Sequence, residues 1–318
     1  SFWKKKLYLQ KTSRRFSVQR VSLPGASPMQ PITLQLLQPL LLMHNVIVRS
    51  ISGVVFIILM IACLLFNKFL FAGLVMFIMA GMLSEFYNIT MGKTYTFSKV
   101  LAILAGITLF ALMFAWSCYH IPIRMIGLAI VPLFIIMINS LYVKDKEEYG
   151  KFSNIYTGLL YIAVPLALSN LIAFDKAGNF SGYLLLCIFI IIWCCDVGAF
   201  TFGITLGRFF PAKLFPSVSP KKTWVGFFGG LVTAVLSAFI LCKVGLLKFP
   251  LAHSMILALI MSIASVYGDL YESQWKRVYG VKDSGKIIPG HGGLLDRFDS
   301  TLMAMPLGAL YLAVFDLL

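Results

Sequence analysis

Charge is scarce in this sequence, and acid is the scarcer kind. Only 12% of the 318 residues are charged, and 12 Asp and Glu stand against 27 Lys and Arg. Hydrophobic residues make up 59% and the mean hydropathy is +0.89, which excludes an ordinary soluble domain, where about 25% of positions are charged. Cysteine in disulfide or zinc patterns is also missing. Cys63, Cys118, Cys187, Cys194, Cys195 and Cys242 lie in or at the ends of apolar runs without paired-loop spacing, and read as small packed side chains. Adjacent Cys194 and Cys195 would point about 100° apart on a helix, so they make a poor redox or metal pair. There is no Gly-x-x-x-x-Gly-Lys-Ser/Thr run, no dinucleotide fingerprint after a strand pattern, and no inverted repeat of the kind that builds secondary transporters. The net charge of +15 lacks the aromatic-interleaved surface that strand binding needs, which excludes nucleic acid. Anionic headgroups and a polyphosphate are the better-matched partners.

What is present is a succession of apolar runs near the roughly 20 residues of a membrane span. They cover 51–66, 69–83, 100–118, 125–143, 155–174, 182–202, 224–244, 251–270 and 302–315. The expected fold is an all-α, polytopic integral membrane protein with about nine transmembrane helices. Residues 1–42 hold seven Lys or Arg and no acid. They read as a basic tail or an extension ahead of Met43, with a transit peptide as the less favoured alternative. Residues 43–318 then form one transmembrane domain. With the N-terminus cytoplasmic, the inward segments carry 22 of the 27 basic residues, as the positive-inside bias requires. The glycine-rich, charged segments 203–223 and 271–301 then share the cytoplasmic side, where nucleotides are found.

Three clusters carry polar chemistry. Asp196 follows a long apolar run and precedes Gly198, Gly203 and Gly207, and a carboxylate so placed faces a cavity, a cation or a partner such as Arg208. The run Ser219-Pro220-Lys221-Lys222-Thr223 leads into a span, where helix amides and ammonium groups suit phosphate. A basic span anchor is the plainer reading. The third cluster is Asp269 with 273–300, SQWKRVYGVKDSGKIIPGHGGLLDRFDS, a stretch too polar for lipid. Asp269, Asp296 and Asp299 are candidate ligands for one or two hard cations. Lys276, Arg277, Lys282 and Arg297 are candidates for holding phosphate, and Gly290, Gly292 and Gly293 allow close backbone approach. A lone His291 carries little information, and Asp283 reads equally as an ion-pair partner of Lys282.

These residues resemble a known signature. S-x-x-K-R at 273–277, K-D at 282–283 and P-x-H-G-G-x-x-D-R-x-D at 289–299 closely resemble the phosphatidate cytidylyltransferase, or CDP-diacylglycerol synthase, family. Asp196 with Ala199 and Gly203, and S-P-x-K-T at 219–223, are similar to its upstream elements. Trp275, where a smaller aliphatic residue is usual, and Val225, where many members carry an acid, depart from the pattern.

The resemblance implies transfer of the cytidylyl group of CTP to phosphatidic acid, giving CDP-diacylglycerol and pyrophosphate for phospholipid synthesis. It implies Mg2+, with room for two cations, the second of them monovalent in one arrangement. Lys222, Asp269, Asp296, Arg297 and Asp299 would be catalytic. Asp196, Ser219, Thr223, Ser273, Lys276, Arg277, Lys282, Asp283, His291, Gly292 and Gly293 would contact substrate. The expected setting is a bacterial inner membrane with the site facing the cytoplasm and a homodimer as one available assembly. A CTP-dependent lipid or polyprenol kinase and a transporter are the alternatives. A transporter would spread its acids over several span centres, and here they gather at one membrane face.

Overall fold

The computed structural model describes residues 50–144, 149–285, 287–288 and 292–318. Among them are nine helical segments: α1 (Ser50–Phe66), α2 (Lys68–Met91), α3 (Thr96–Tyr119), α4 (Val131–Ser140, entered through a 3-10 stretch, Ile123–Ile130), α5 (Gly150–Ala173), α6 (Tyr183–Thr205), α7 (Trp224–Lys243), α8 (Leu251–Val278) and α9 (Leu295–Val314). Seven segments, α2 to α8 with the α4 span counted from Ile123, are long and apolar enough to cross a membrane. The chain is therefore an α-helical, polytopic membrane protein.

Among the described residues the all-α frame carries one short hairpin. Lys213–Phe215 (β1) and Ser219–Thr223 (β2) form an antiparallel hairpin with Lys213 opposite Thr223. Pro220 and the lack of an apolar face keep this segment out of a helix.

Three expected boundaries shift in ways that matter for the site. α2 runs on to Met91 rather than ending near 83, and α8 runs on to Val278 rather than 270. α9 begins at Leu295. The polar stretch 273–300 is thus not one loop. Ser273, Lys276 and Arg277 ride on the end of α8, and Asp296, Arg297 and Asp299 on the first turns of α9.

Small residues let the site helices approach. A Cβ on Gly198 of α6 would stand 1.9 Å from Thr233 Oγ1 of α7, and that hydroxyl donates across the contact to the Cys194 carbonyl at 3.0 Å. On α8, a Cβ at Gly268 would stand 2.6 Å from the Asp299 carbonyl oxygen. The backbones of α8 and α9 therefore touch beside two of the acids. Elsewhere the interior is apolar, with Phe71, Met79, Leu83, Phe110 and Ile136 fully buried. A buried lysine, Lys99 of α3, donates to the Gly92 carbonyl just beyond the end of α2, where a cation is favoured.

Candidate active site

Asp196 from the second half of α6, Asp269 from α8, and Asp296 and Asp299 from α9 line one cavity of about 460 Å³, together with Arg297, Trp193 and residues of α1. A second cavity of about 550 Å³ lies against the hairpin and α7, lined by Lys221, Lys222, Thr223, Gly203 and Gly226. Asp196 and Asp269 line both. At this junction Lys222 Nζ pairs with Asp269 Oδ2 at 2.7 Å, and the Ser273 hydroxyl donates to Asp269 Oδ1 at 3.3 Å from one turn further along α8. The hairpin thus delivers an ammonium to a carboxylate 47 residues away. Arg208 stacks over Phe209, leaving its suggested pairing with Asp196 without support.

Asp296 has a different task from its neighbours. Its Oδ1 accepts from Lys276 Nζ at 2.7 Å, and its Oδ2 accepts from the amides of Ser284 and Gly293, both at 2.9 Å. Burial alone would raise its carboxyl, but Lys276 and the two amides outweigh that and hold it below the ordinary 3.8. Both oxygens are engaged in holding the stretch between α8 and α9 closed. Gly292 has φ +88°, and a Cβ there would stand 2.8 Å from Asp296 Oδ2, so glycine meets both the backbone and the space requirement.

Sequence reasoning missed the other anchor of this stretch, Glu85 of α2. Its carboxylate accepts from the Ser284 hydroxyl and from the amides of Leu294 and Leu295, each at 3.0 Å. It therefore satisfies donors at the start of α9, 209 and 210 residues along the chain. A Cβ on Gly293 would stand 2.0 Å from Ser284 Oγ and 2.5 Å from Glu85 Oε2. Glu272 was missed as well; it is fully buried on α8 and pairs with Lys276 one turn on. The rule that singled out Asp196, an acid inside an apolar run, applied equally to Glu85.

The remaining expected residues divide as follows. Thr223 is buried and caps α7, its Oγ1 accepting from the Gly226 amide at 3.1 Å, and Ser219 lies in β2 opposite Phe215. Lys276 is buried between Glu272 and Asp296, so its charge is already balanced. Arg277 is exposed and donates to the Val281 carbonyl at 3.4 Å. Lys282 and Asp283 are exposed, and among the described residues no ion pair joins them. Arg297 is exposed at the edge of the first cavity. Pro289, Gly290 and His291 lie outside the described residues. Trp275 stacks on Phe86 at 4.5 Å between ring centroids, which accounts for the large side chain at that position. Among the described residues no three Asp, Glu, His or Cys side chains are gathered tightly enough to hold an ion. Asp196, Asp269 and Asp299 line the first cavity with hard oxygen donors, the ligand type that Mg2+ takes, with Asp269 also meeting Lys222 and Ser273 and Asp299 Oδ1 accepting from the Ser300 amide.

Comparison with known proteins identifies the family of the chain. Residues 47–315 match the model of the cytidylyltransferase family. The phosphatidate cytidylyltransferase of Bacillus subtilis is 37% identical over 192 residues, 59% of this chain and 68% of that one. The Staphylococcus aureus (strain COL) phosphatidate cytidylyltransferase is 30% identical over 268 residues, covering 82% and 96%. That of Haemophilus influenzae is 45% identical over 128 residues, 39% of this chain and 43% of that one.

Proposed function

The chain belongs to the cytidylyltransferase family and transfers the cytidylyl group of CTP to phosphatidic acid, and from this premise we propose how its residues divide the work. The reaction joins two anions. A phosphate oxygen of the lipid forms a bond to the α-phosphorus of the nucleotide, the bond from that phosphorus to the bridging oxygen breaks, and pyrophosphate departs with the electron pair. The attacking phosphate is already ionised near neutral pH, so no general base is needed. The chain must instead neutralise charge and hold the partners in line.

The observation that carries this reading is the junction where Lys222 meets Asp269 between two cavities. Lys222 is the charge-neutralising group nearest the reacting phosphates, and Arg297 holds phosphate at the edge of the first cavity. Asp196, Asp269 and Asp299 would hold Mg2+, which supplies Lewis-acid neutralisation of the phosphate oxygens. Ser273 orients Asp269. In this reading Asp296 leaves the metal set expected from sequence and becomes, with Lys276 and Glu85, a positioning residue.

The charge asymmetry supports a cytoplasmic N-terminus, nine crossings and a site open to the cytoplasm, and the likeness to bacterial relatives supports a bacterial inner membrane. The test is purified protein in mixed micelles with phosphatidic acid, Mg2+ and CTP labelled at the α or the γ phosphate. The α label is expected in the lipid, with loss of at least about 100-fold in Asp269→Asn. The γ label in the lipid would overturn the reading in favour of a lipid kinase.

A further inference from the structure

A third cavity, of about 300 Å³, lies between α2 and α3 and shares no lining residue with the two that meet at Asp269. Ser84 and Asn88 of α2, Lys93 of the turn, and Thr96, Lys99 and Val100 of α3 border it. Nothing in the cytidylyl-transfer reaction uses these residues. We propose that the cavity binds the phosphodiester headgroup of an anionic membrane lipid, as a site separate from the one that takes the substrates.

Charge gives the first reason. Two ammonium groups line the cavity and, among the described residues, no carboxylate does. Lys93 is exposed, Lys99 is only 8% exposed, and neither has an acidic partner among the described residues. Lys99 Nζ donates to the Gly92 carbonyl and to Asn88 Oδ1, the latter at 3.4 Å. Those bonds engage its protons but leave its charge without a counter-ion, and a buried charge is costly until it is paired. A bound anion supplies the missing partner. Donors converge on the same space. Asn88 Nδ2 donates to Ser84 Oγ at 3.5 Å, so the Ser84 hydroxyl keeps its own proton for a further acceptor. α3 starts at Thr96 without a side-chain cap bond from Tyr95, and its first amides and dipole favour a phosphate there.

The apolar wall says what carries the anion. Val100 and Ile103 line the cavity on its α3 side; Val100 is 50% exposed, and Phe97 and Leu104, one turn to either side, are exposed as well. On a spanning helix such a stripe faces acyl chains. A free phosphate gains nothing from that wall, whereas a lipid keeps its chains against it while its headgroup reaches Lys93 and Lys99. Occupancy bears on the rest of the molecule through α2. Ser84 and Asn88 sit within one turn of Glu85, whose carboxylate holds the first amides of α9. A headgroup bonded to Ser84 steadies that turn, so binding adds to thermal stability.

Thermal melts of the full chain in neutral detergent, titrated separately with phosphatidylglycerol, phosphatidylcholine and inorganic phosphate, test the site. A saturable rise in Tm is expected with phosphatidylglycerol alone. Lys93→Gln, at an exposed position where folding is not at stake, should raise the concentration giving half the shift about tenfold or more, and Lys99→Gln should do the same. Lys213→Gln, an exposed lysine of the hairpin that lines none of the three cavities, should stay within about twofold of the unaltered protein. An unchanged titration in Lys93→Gln, or an equal loss in Lys213→Gln, would overturn the site in favour of general surface charge. The same lysine-dependent rise with inorganic phosphate would overturn the lipid as its occupant, and an equal rise with phosphatidylcholine would overturn the role of charge. No nucleotide is present in these melts, so their outcome is independent of the cytidylyl-transfer reading.

Discussion

Glu85 accepts three hydrogen bonds that tie the start of α9 to α2. Removing its carboxylate in Glu85→Ala leaves the Ser284 hydroxyl and the amides of Leu294 and Leu295 without an acceptor. A loss of about 3 kcal/mol is expected, read as a lower Tm in detergent, with activity falling because the start of α9 carries Asp299. Asp296 behaves differently with pH. Its carboxyl is held below its ordinary 3.8, so its stabilisation is present above that value and lost as pH falls through the folded-state value. The stability gap between the protein and Asp296→Asn should therefore hold from pH 5 to 8 and close in acid below about pH 4, as thermal melts across that range would show. A gap that does not change with pH would mean the bonds to Lys276, Ser284 and Gly293 contribute nothing through charge.

At the scale of elements, the site depends on backbones that touch. Gly268→Ala places a Cβ 2.6 Å from the Asp299 carbonyl oxygen, which must move α9 relative to α8. Asp269 and Asp299 lie on those two helices, so kcat should fall about tenfold or more while the detergent-solubilised protein stays helical and monodisperse. Thr233→Val removes the bond to the Cys194 carbonyl between α6 and α7. Such bonds in membranes are worth about 0.6 kcal/mol, so a Tm shift of a degree or two with near-normal turnover is expected. The extents of α2, α8 and α9 were misread from sequence for one reason. Hydropathy marks where apolar side chains stop, and a helix continues past that point when its polar residues find partners, as Glu85, Lys276 and Asp296 do.

At the scale of the whole molecule, the polar ends of α8 and α9 and the hairpin belong together on one membrane face. Cysteines introduced at Ser217, in the exposed hairpin turn, and at Asn179, in the exposed turn before α6, should react from opposite sides of the membrane in a chain whose native cysteines are replaced by alanine. An impermeant thiol reagent added to intact cells is expected to label Asn179→Cys and spare Ser217→Cys. Labelling of Ser217→Cys alone would reverse the orientation.

Composition and apolar period were enough to read a helical membrane protein, because lipid leaves a spanning chain almost no other backbone solution. The pattern of Asp196, of Ser219 to Thr223 and of 273–299 was enough to show the resemblance to the cytidylyltransferase family, and it was that resemblance, not the spacing, that implied the chemistry. Sequence order could not divide those residues by task. Asp296 and Asp299 are three positions apart on one helix and line the same cavity, yet Asp296 has both oxygens bonded to Lys276 and two amides while Asp299 accepts at Oδ1 from the neighbouring Ser300 amide. That difference comes from Gly293 and Ser284 folding back over the start of α9 and from Glu85 arriving from α2. Only the tertiary structure decided it, because a hydrogen-bond partner some 200 residues away leaves no local pattern.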